Sequence, residues 1–209
     1  MAKTFAAALA FVLAGLLPLT ASAQDTNEAA APAAVEVQDF SLGDPNAKVQ
    51  ITEYASFTCP HCANFHATVW GPLKAEYIDT GKVHFTYREV YFDRSGLWAA
   101  MVARCGGEMR YFGIVDMLFD QQKEWAGTDD PNQVVLNLKT IGRAAGMDDA
   151  TLDACLKDGE KAAAMVAQYE KNFAADGIQG TPSFIINGEK HSNMSFDDMK
   201  AIIDAELAE

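Results

Sequence analysis

The sequence predicts an α/β protein whose framework of strands and helices is interrupted by a long helical insertion. Three observations carry that prediction. A strand–helix–strand unit occupies residues 48–88, helical patterns then run from 94 to about 175, and the chain returns to β structure before one last helix.

The first unit follows a turn at Asp44-Pro45-Asn46, and upstream of it Val35-Glu36-Val37 is expected to start an edge strand. Lys48 to Ala55 reads as a strand in which Val49, Ile51 and Glu53 share one face. Pro60 suits the first turn of a helix, where its missing N–H costs nothing. Phe65, Val69, Leu73, Tyr77 and Ile78 recur at helical spacing up to Gly81. Lys82 to Arg88 is the next strand, with Val83, Phe85 and Tyr87 on one side. From Arg94 to about Ala175 nearly everything reads as helix, broken at Gly106-Gly107, Gly127-Thr128-Asp129-Asp130-Pro131 and Gly146. Thr181 to Ile186 is a strand, Asn187-Gly188 a tight hairpin turn, and Glu189-Lys190-His191 its short partner. Ser195 caps the final helix, which buries Met199, Ile202, Ile203 and Leu207.

With 209 residues and 49% apolar content, the chain can bury a substantial core in one domain, or in one domain with an insertion. The formal net charge is −13, and Lys3 is the only charge before Gln24. An acidic balance of this size argues against nucleic acid as a partner. Met1 to Ala23 combines Lys3, an apolar run from Phe5 to Leu17 closed by Pro18, and the small residues Ala21-Ser22-Ala23. That order is a signal peptide cleaved before Gln24; the alternative is an uncleaved anchor, for which the run is short. No Cys follows the run, so lipid attachment at a processed N-terminus is not indicated. Gln24 to Ala34 is polar and small, and reads as a flexible leader. Export to an oxidising compartment suits a chain with four cysteines.

The chemistry centres on Cys59-Pro60-His61-Cys62, at the turn between strand and helix. Such turns lie at the carboxyl ends of parallel strands, where α/β sheets usually place their sites. A thiolate at a helix start faces unpaired N–H groups and the positive end of the macrodipole, so its pKa falls. Cys59 is therefore the exposed attacker, and Cys62, one turn on, closes the disulfide. A protonated His61 would further favour the Cys59 thiolate.

This motif, with Phe65 after it and Gly180-Thr181-Pro182 far downstream, resembles the DsbA family of thioredoxin-like oxidases that donate disulfides in bacterial periplasms. The match runs from about Val35 to the C-terminus. The resemblance implies a thioredoxin-like domain at 35–93 and 177–209 with an inserted helical domain at 94–176. It implies that Pro182 is a cis-proline facing the cysteine pair and that Thr181 binds extended client backbone. It also implies a Glu at the position of Glu53. That carboxylate, turned inward by its alternation with Val49 and Ile51, would exchange protons with Cys62; the other reading is a strand-end Glu reaching solvent.

Other residues have competing readings. Two cysteines are half a zinc site, but no second Cys or His pair lies at a finger-like spacing, so no metal is expected. Haem attachment needs His directly after the second Cys, and Ala63 is there instead. Cys105 and Cys155 both fall in the helical insertion. A structural disulfide is the favoured reading in an oxidising compartment, against two buried free thiols. His66, His84 and His191 look isolated. Phe57, Phe65 and Trp70 are either core or apolar surface for unfolded clients.

The combined expectation is a periplasmic, monomeric thiol:disulfide oxidoreductase acting mainly as an oxidase. Its redox group is the Cys59–Cys62 disulfide, with no other cofactor. Its partners are reduced secreted proteins and, by resemblance, a DsbB-like membrane reoxidant. The rivals are a disulfide isomerase or reductase, and a copper or zinc carrier using the same two cysteines.

Overall fold

The computed structural model describes residues 1–2 and 35–209, so the signal-peptide and leader readings lie outside the described residues, Met1 and Ala2 apart. A five-stranded mixed sheet is built from β1 (Phe40–Leu42), β2 (Val49–Ala55), β3 (Val83–Glu89), β4 (Ser183–Ile186) and β5 (Glu189–Ser192) in the order β1-β3-β2-β4-β5. β2 is central and runs parallel to β3, and all other pairings are antiparallel. Its inward residue Glu53 lies opposite Tyr87 on one side and Phe184 on the other. This is the thioredoxin-like arrangement, with its βα turn at the carboxyl end of the central strand.

The edge strand starts later than the Val35-Glu36-Val37 pattern suggests. Phe40 is the first residue with a packing partner, its ring tilted against that of Tyr111 at 4.5 Å, so pairing with β3 begins there. Upstream, side chains take the backbone carbonyls: Lys161 Nζ donates to Glu36 and Arg104 to Gln38.

The helix after the cysteine pair is not the regular one that the spacing predicts. α1 (Pro60–Phe65) widens into a π-helical turn at His66–Trp70, tightens through α2 (Gly71–Leu73), and widens again at Lys74–Ile78. Pro72 offers no N–H to the carbonyl four residues back, and such gaps are where helices change pitch.

Six helices separate β3 from β4: α3 (Arg94–Cys105), α4 (Glu108–Asp120), α5 (Gln122–Ala126), α6 (Pro131–Ala144), α7 (Asp149–Lys157) and α8 (Gly159–Ala175). The breaks fall where Gly and Asp-Pro place them. Gly107 adopts φ 70°, and Asp93, Asp130, Asp148 and Asp158 each cap the following helix. The break at Asp158, directly followed by Gly159, is one that the helical pattern alone did not separate. At Gly142 a Cβ would come within 2.4 Å of Leu152, so glycine lets α6 and α7 approach closely. α9 (Phe196–Ala208) follows β5, capped by Ser195. The hairpin turn before β5 uses positive φ at both Asn187 and Gly188.

The helical layer shares one apolar core with the sheet. Phe119 of α4 packs 5.2 Å from Phe57, and Trp70 sits 4.8 Å from Phe85 of β3. The two cysteines of the insertion are bonded to each other, Cys105 of α3 to Cys155 of α7, with Cα atoms 6.0 Å apart.

Candidate active site

β2 ends at Ala55, and the chain turns through Ser56, Phe57 and Thr58 before α1. Cys59 is the N-cap of that helix: its carbonyl accepts from Ala63 N at 3.2 Å, and its own N–H donates to Ser56 O at 3.1 Å. A sulfur therefore stands where a capping oxygen usually sits, facing the free N–H groups of the first turn. Two flanking elements hold this loop. Asp93, the cap of α3, accepts from Thr58 Oγ1 at 2.6 Å. From α5, the buried Gln122 side chain donates to the carbonyls of Phe57 (2.8 Å) and Cys59 (3.0 Å). Nothing in the sequence marked Gln122, because its partners are carbonyls more than sixty residues away.

Both active-site sulfurs are free thiols in this structure, Cys59 partly exposed and Cys62 fully buried. The Cys59 thiol is brought down to about 5 from an ordinary 9.0. The main cause is the Cys62 thiol donating to it. Burial opposes this, while the Thr181 side chain and the N–H groups of Cys62 and His61 add to the fall. Cys62 is pushed far the other way by burial, by the hydrogen bond its thiol donates to Cys59 and by the negative charge of Glu53. An acid with a lowered pKa stabilises the reduced fold fully above the ordinary 9.0, and that gain disappears as pH falls through about 5.

Pro60 is the first residue of α1, and His61 follows it on the rim of a groove of about 450 Å³. Thr181, Pro182, Lys190 and His191 line the same groove. The Thr181-Pro182 bond is cis, and the Thr181 carbonyl lies 3.5 Å from Cys59 Sγ and accepts its thiol proton. That contact favours the neutral thiol. The Thr181 hydroxyl, which has no hydrogen-bond partner among the described residues, favours the anion. The structure thus brings together Cys59, Pro60, His61, Cys62, Thr181 and Pro182.

Glu53 is completely buried, so it does not reach solvent. It meets His66, a residue that looked isolated in the sequence: Nε2 of His66 lies 3.3 Å from Glu53 Oε2, both side chains almost wholly enclosed. The available signal was position, since His66 lies one turn beyond Cys62 on the same helical run. Phe57, Phe65 and Trp70 are buried and act as packing rather than client surface. Cys105 and Cys155 lie in α3 and α7, and neither is among the groups that meet Cys59. Among the described residues, no group of three or more His, Cys, Asp or Glu side chains is placed to hold a metal ion.

A parallel strand–turn–helix unit that presents one reactive thiol and hides its partner defines a thioredoxin-like protein equipped for thiol–disulfide exchange. Comparison with known proteins makes the assignment specific. The chain belongs to the thioredoxin family, in its DsbA-like branch: the family model described as thioredoxin matches residues 36–205. A putative protein-disulfide oxidoreductase of Rickettsia conorii is 35% identical over 178 residues, covering 84% of this chain and 62% of the relative. Its counterpart in Rickettsia bellii is 32% identical over 176 residues, covering 84% and 67%. The chain thus spans about two thirds of the length of these relatives. The crystal structure of alpha-DsbA1 from Wolbachia pipientis superposes with a TM-score of 0.75 at 28% identity, covering 82% of this chain and 92% of that one.

Proposed function

We propose that this protein is an exported thiol:disulfide oxidoreductase that acts chiefly as an oxidase of reduced, secreted proteins. The observation that carries the reading is the asymmetry of the two thiols: Cys59 is accessible and acidic, whereas Cys62 is buried with its pKa raised. A client thiolate can reach only Cys59 Sγ. Its attack breaks the Cys59–Cys62 bond, and the bond's electron pair departs on Cys62, which takes up a proton. The client's second thiolate then attacks its own sulfur in the mixed disulfide, and Cys59 leaves as a thiolate. The client gains a disulfide and the enzyme holds the two electrons. A thiol of low pKa is a good leaving group, so this second step favours transfer outward.

The groove beside Thr181 and Pro182 is the site for client backbone, where the main-chain N–H and C=O of Thr181 can pair with an extended strand. Glu53 supplies the proton that Cys62 needs. Cys105–Cys155 is the structural bond of the helical layer. The redox group is the Cys59–Cys62 disulfide itself, with no separate cofactor or metal. The names of the Rickettsia and Wolbachia relatives support the same activity. The compartment is the periplasm, reached through a signal peptide at Met1–Ala23. A DsbB-like, quinone-linked membrane protein restores the disulfide, and the enzyme works as a monomer. The test is capture by Cys62→Ala in periplasmic extracts, where the lone Cys59 thiolate attacks the disulfide of an oxidised client: the client's S–S bond breaks, one client sulfur joins Cys59 and the other leaves as a thiolate. Mixed disulfides through Cys59 support the reading; their absence, or equal capture by Cys59→Ala, refutes it.

A further inference from the structure

The Glu53–His66 pair has features that packing alone does not require. Both side chains are enclosed, Glu53 with no exposed surface and His66 with 3% of its side chain exposed. They share a single contact of 3.3 Å, and Glu53 Oε1 and His66 Nδ1 have no hydrogen-bond partner among the described residues. An isolated carboxylate charge at such a position is costly, and unpaired buried polar atoms add to that cost. One proton shared by the pair removes the net charge. The surroundings of His66 fix its ring but offer no second hydrogen bond. Phe119 of α4 stacks on it at 3.9 Å, Trp70 lies at 5.4 Å, and Tyr87 of β3 stands edge-on at 6.2 Å.

The other titratable groups nearby are engaged or sealed. The Tyr87 hydroxyl donates to Ala55 O, and its pKa is pushed well up by burial. Asp116 of α4, whose pKa is raised by burial, accepts from Trp70 Nε1 at 2.8 Å. Cys62, one turn before His66, feels the charge of Glu53.

We propose that Glu53 and His66 jointly hold one exchangeable proton for Cys62, with His66 as the positioning residue that acts through Glu53. This rests on the oxidoreductase reading of the cysteine pair. In the oxidised protein the proton lies on the pair. When a client thiolate attacks Cys59, the electron pair of the broken S–S bond leaves on Cys62, and the proton moves from the pair to Cys62 Sγ. What remains is a neutral imidazole donating Nε2–H to the Glu53 carboxylate, the arrangement consistent with the 3.3 Å contact in this dithiol state. On reoxidation Cys62 returns its proton to the pair as its electrons close the S–S bond. No co-reactant beyond client and reoxidant is needed.

The test compares the wild type with His66→Gln, which keeps an N–H towards Glu53 but cannot carry a proton, and with His66→Phe, which keeps the stack alone. The rate at which a dithiol peptide reduces Cys59–Cys62 is measured between pH 5 and 8. Both variants should be slower by at least about tenfold, the lower end of which general acid–base effects exceed, with a flattened pH profile. If His66→Gln matches the wild type in rate and profile, the imidazole carries no share of the proton and the proposal fails. If the variants do not fold, the ring nitrogens of His66 are followed by NMR in the wild type. Signals that differ between oxidised and reduced protein support the proposal, and identical signals overturn it. A wild type that does not exchange with the peptide at all refutes the oxidoreductase reading instead.

Discussion

Replacing Cys105 and Cys155 together by Ala should destabilise the protein substantially while leaving its active site in place. The bond closes a loop with a sequence separation of 50 residues and ties α3 to α7. In the chain-entropy picture, opening a loop of that size releases ~4 kcal/mol of constraint from the unfolded chain. Both side chains are partly exposed, so little apolar burial is lost with the sulfur atoms. Unfolding entropy is ~2.1 cal/mol/K per residue, which for a chain of this size makes 4 kcal/mol about 10 °C in Tm. The assay is a thermal scan of the double variant against its parent, both carrying Ser at 59 and 62 so that only the second disulfide differs. A Tm within about 2 °C of the parent would show that the helical layer is held by packing alone.

Cys59 should alkylate rapidly in the reduced protein, with its rate falling to half near pH 5, while Cys62 stays unreactive; equal reactivity, or a midpoint near 9.0, would refute the assigned asymmetry. Glu53→Gln should fold, because the amide keeps the shape and a contact to His66, yet slow the protonation of Cys62 by at least about tenfold. Turnover unchanged from pH 5 to 8 would remove Glu53 from the chemistry. Gln122→Leu strips two donors from the loop and leaves the Phe57 carbonyl without its side-chain partner. The expected loss is about 1–3 kcal/mol in denaturant unfolding, and a change under about 0.5 kcal/mol would show that the clamp contributes nothing.

The framework was readable because its signals are local. Alternation of Val49, Ile51 and Glu53 gave the central strand and its inward face, and Asn187-Gly188 gave the hairpin, since few other pairs accept positive φ twice. Val35-Glu36-Val37 misled because strand propensity was decided by a partner: Phe40 had Tyr111 to pack on, and Val35 had nothing equivalent. The widened helical turns after Phe65 follow from Pro72, whose effect on pitch is not visible in apolar spacing. At the site, Cys59, Pro60, His61 and Cys62 are contiguous and could be found by motif. Thr181 and Pro182 came only by resemblance, because 122 residues separate Thr181 from the sulfur that it contacts. Gln122 and the Glu53–His66 contact depend on tertiary placement, and no single-sequence pattern encodes that.

Reduction of the Cys59–Cys62 disulfide should be favourable, because it produces a stabilised Cys59 thiolate. Its equilibrium with glutathione, followed at fixed pH, tests this directly. Its potential is expected well above that of thioredoxin, about −270 mV, and towards the about −120 mV of strongly oxidising relatives of this kind. This excess should shrink as pH is lowered from 9.0 towards about 5. A potential at or below that of thioredoxin, unresponsive to pH over that window, would contradict the account.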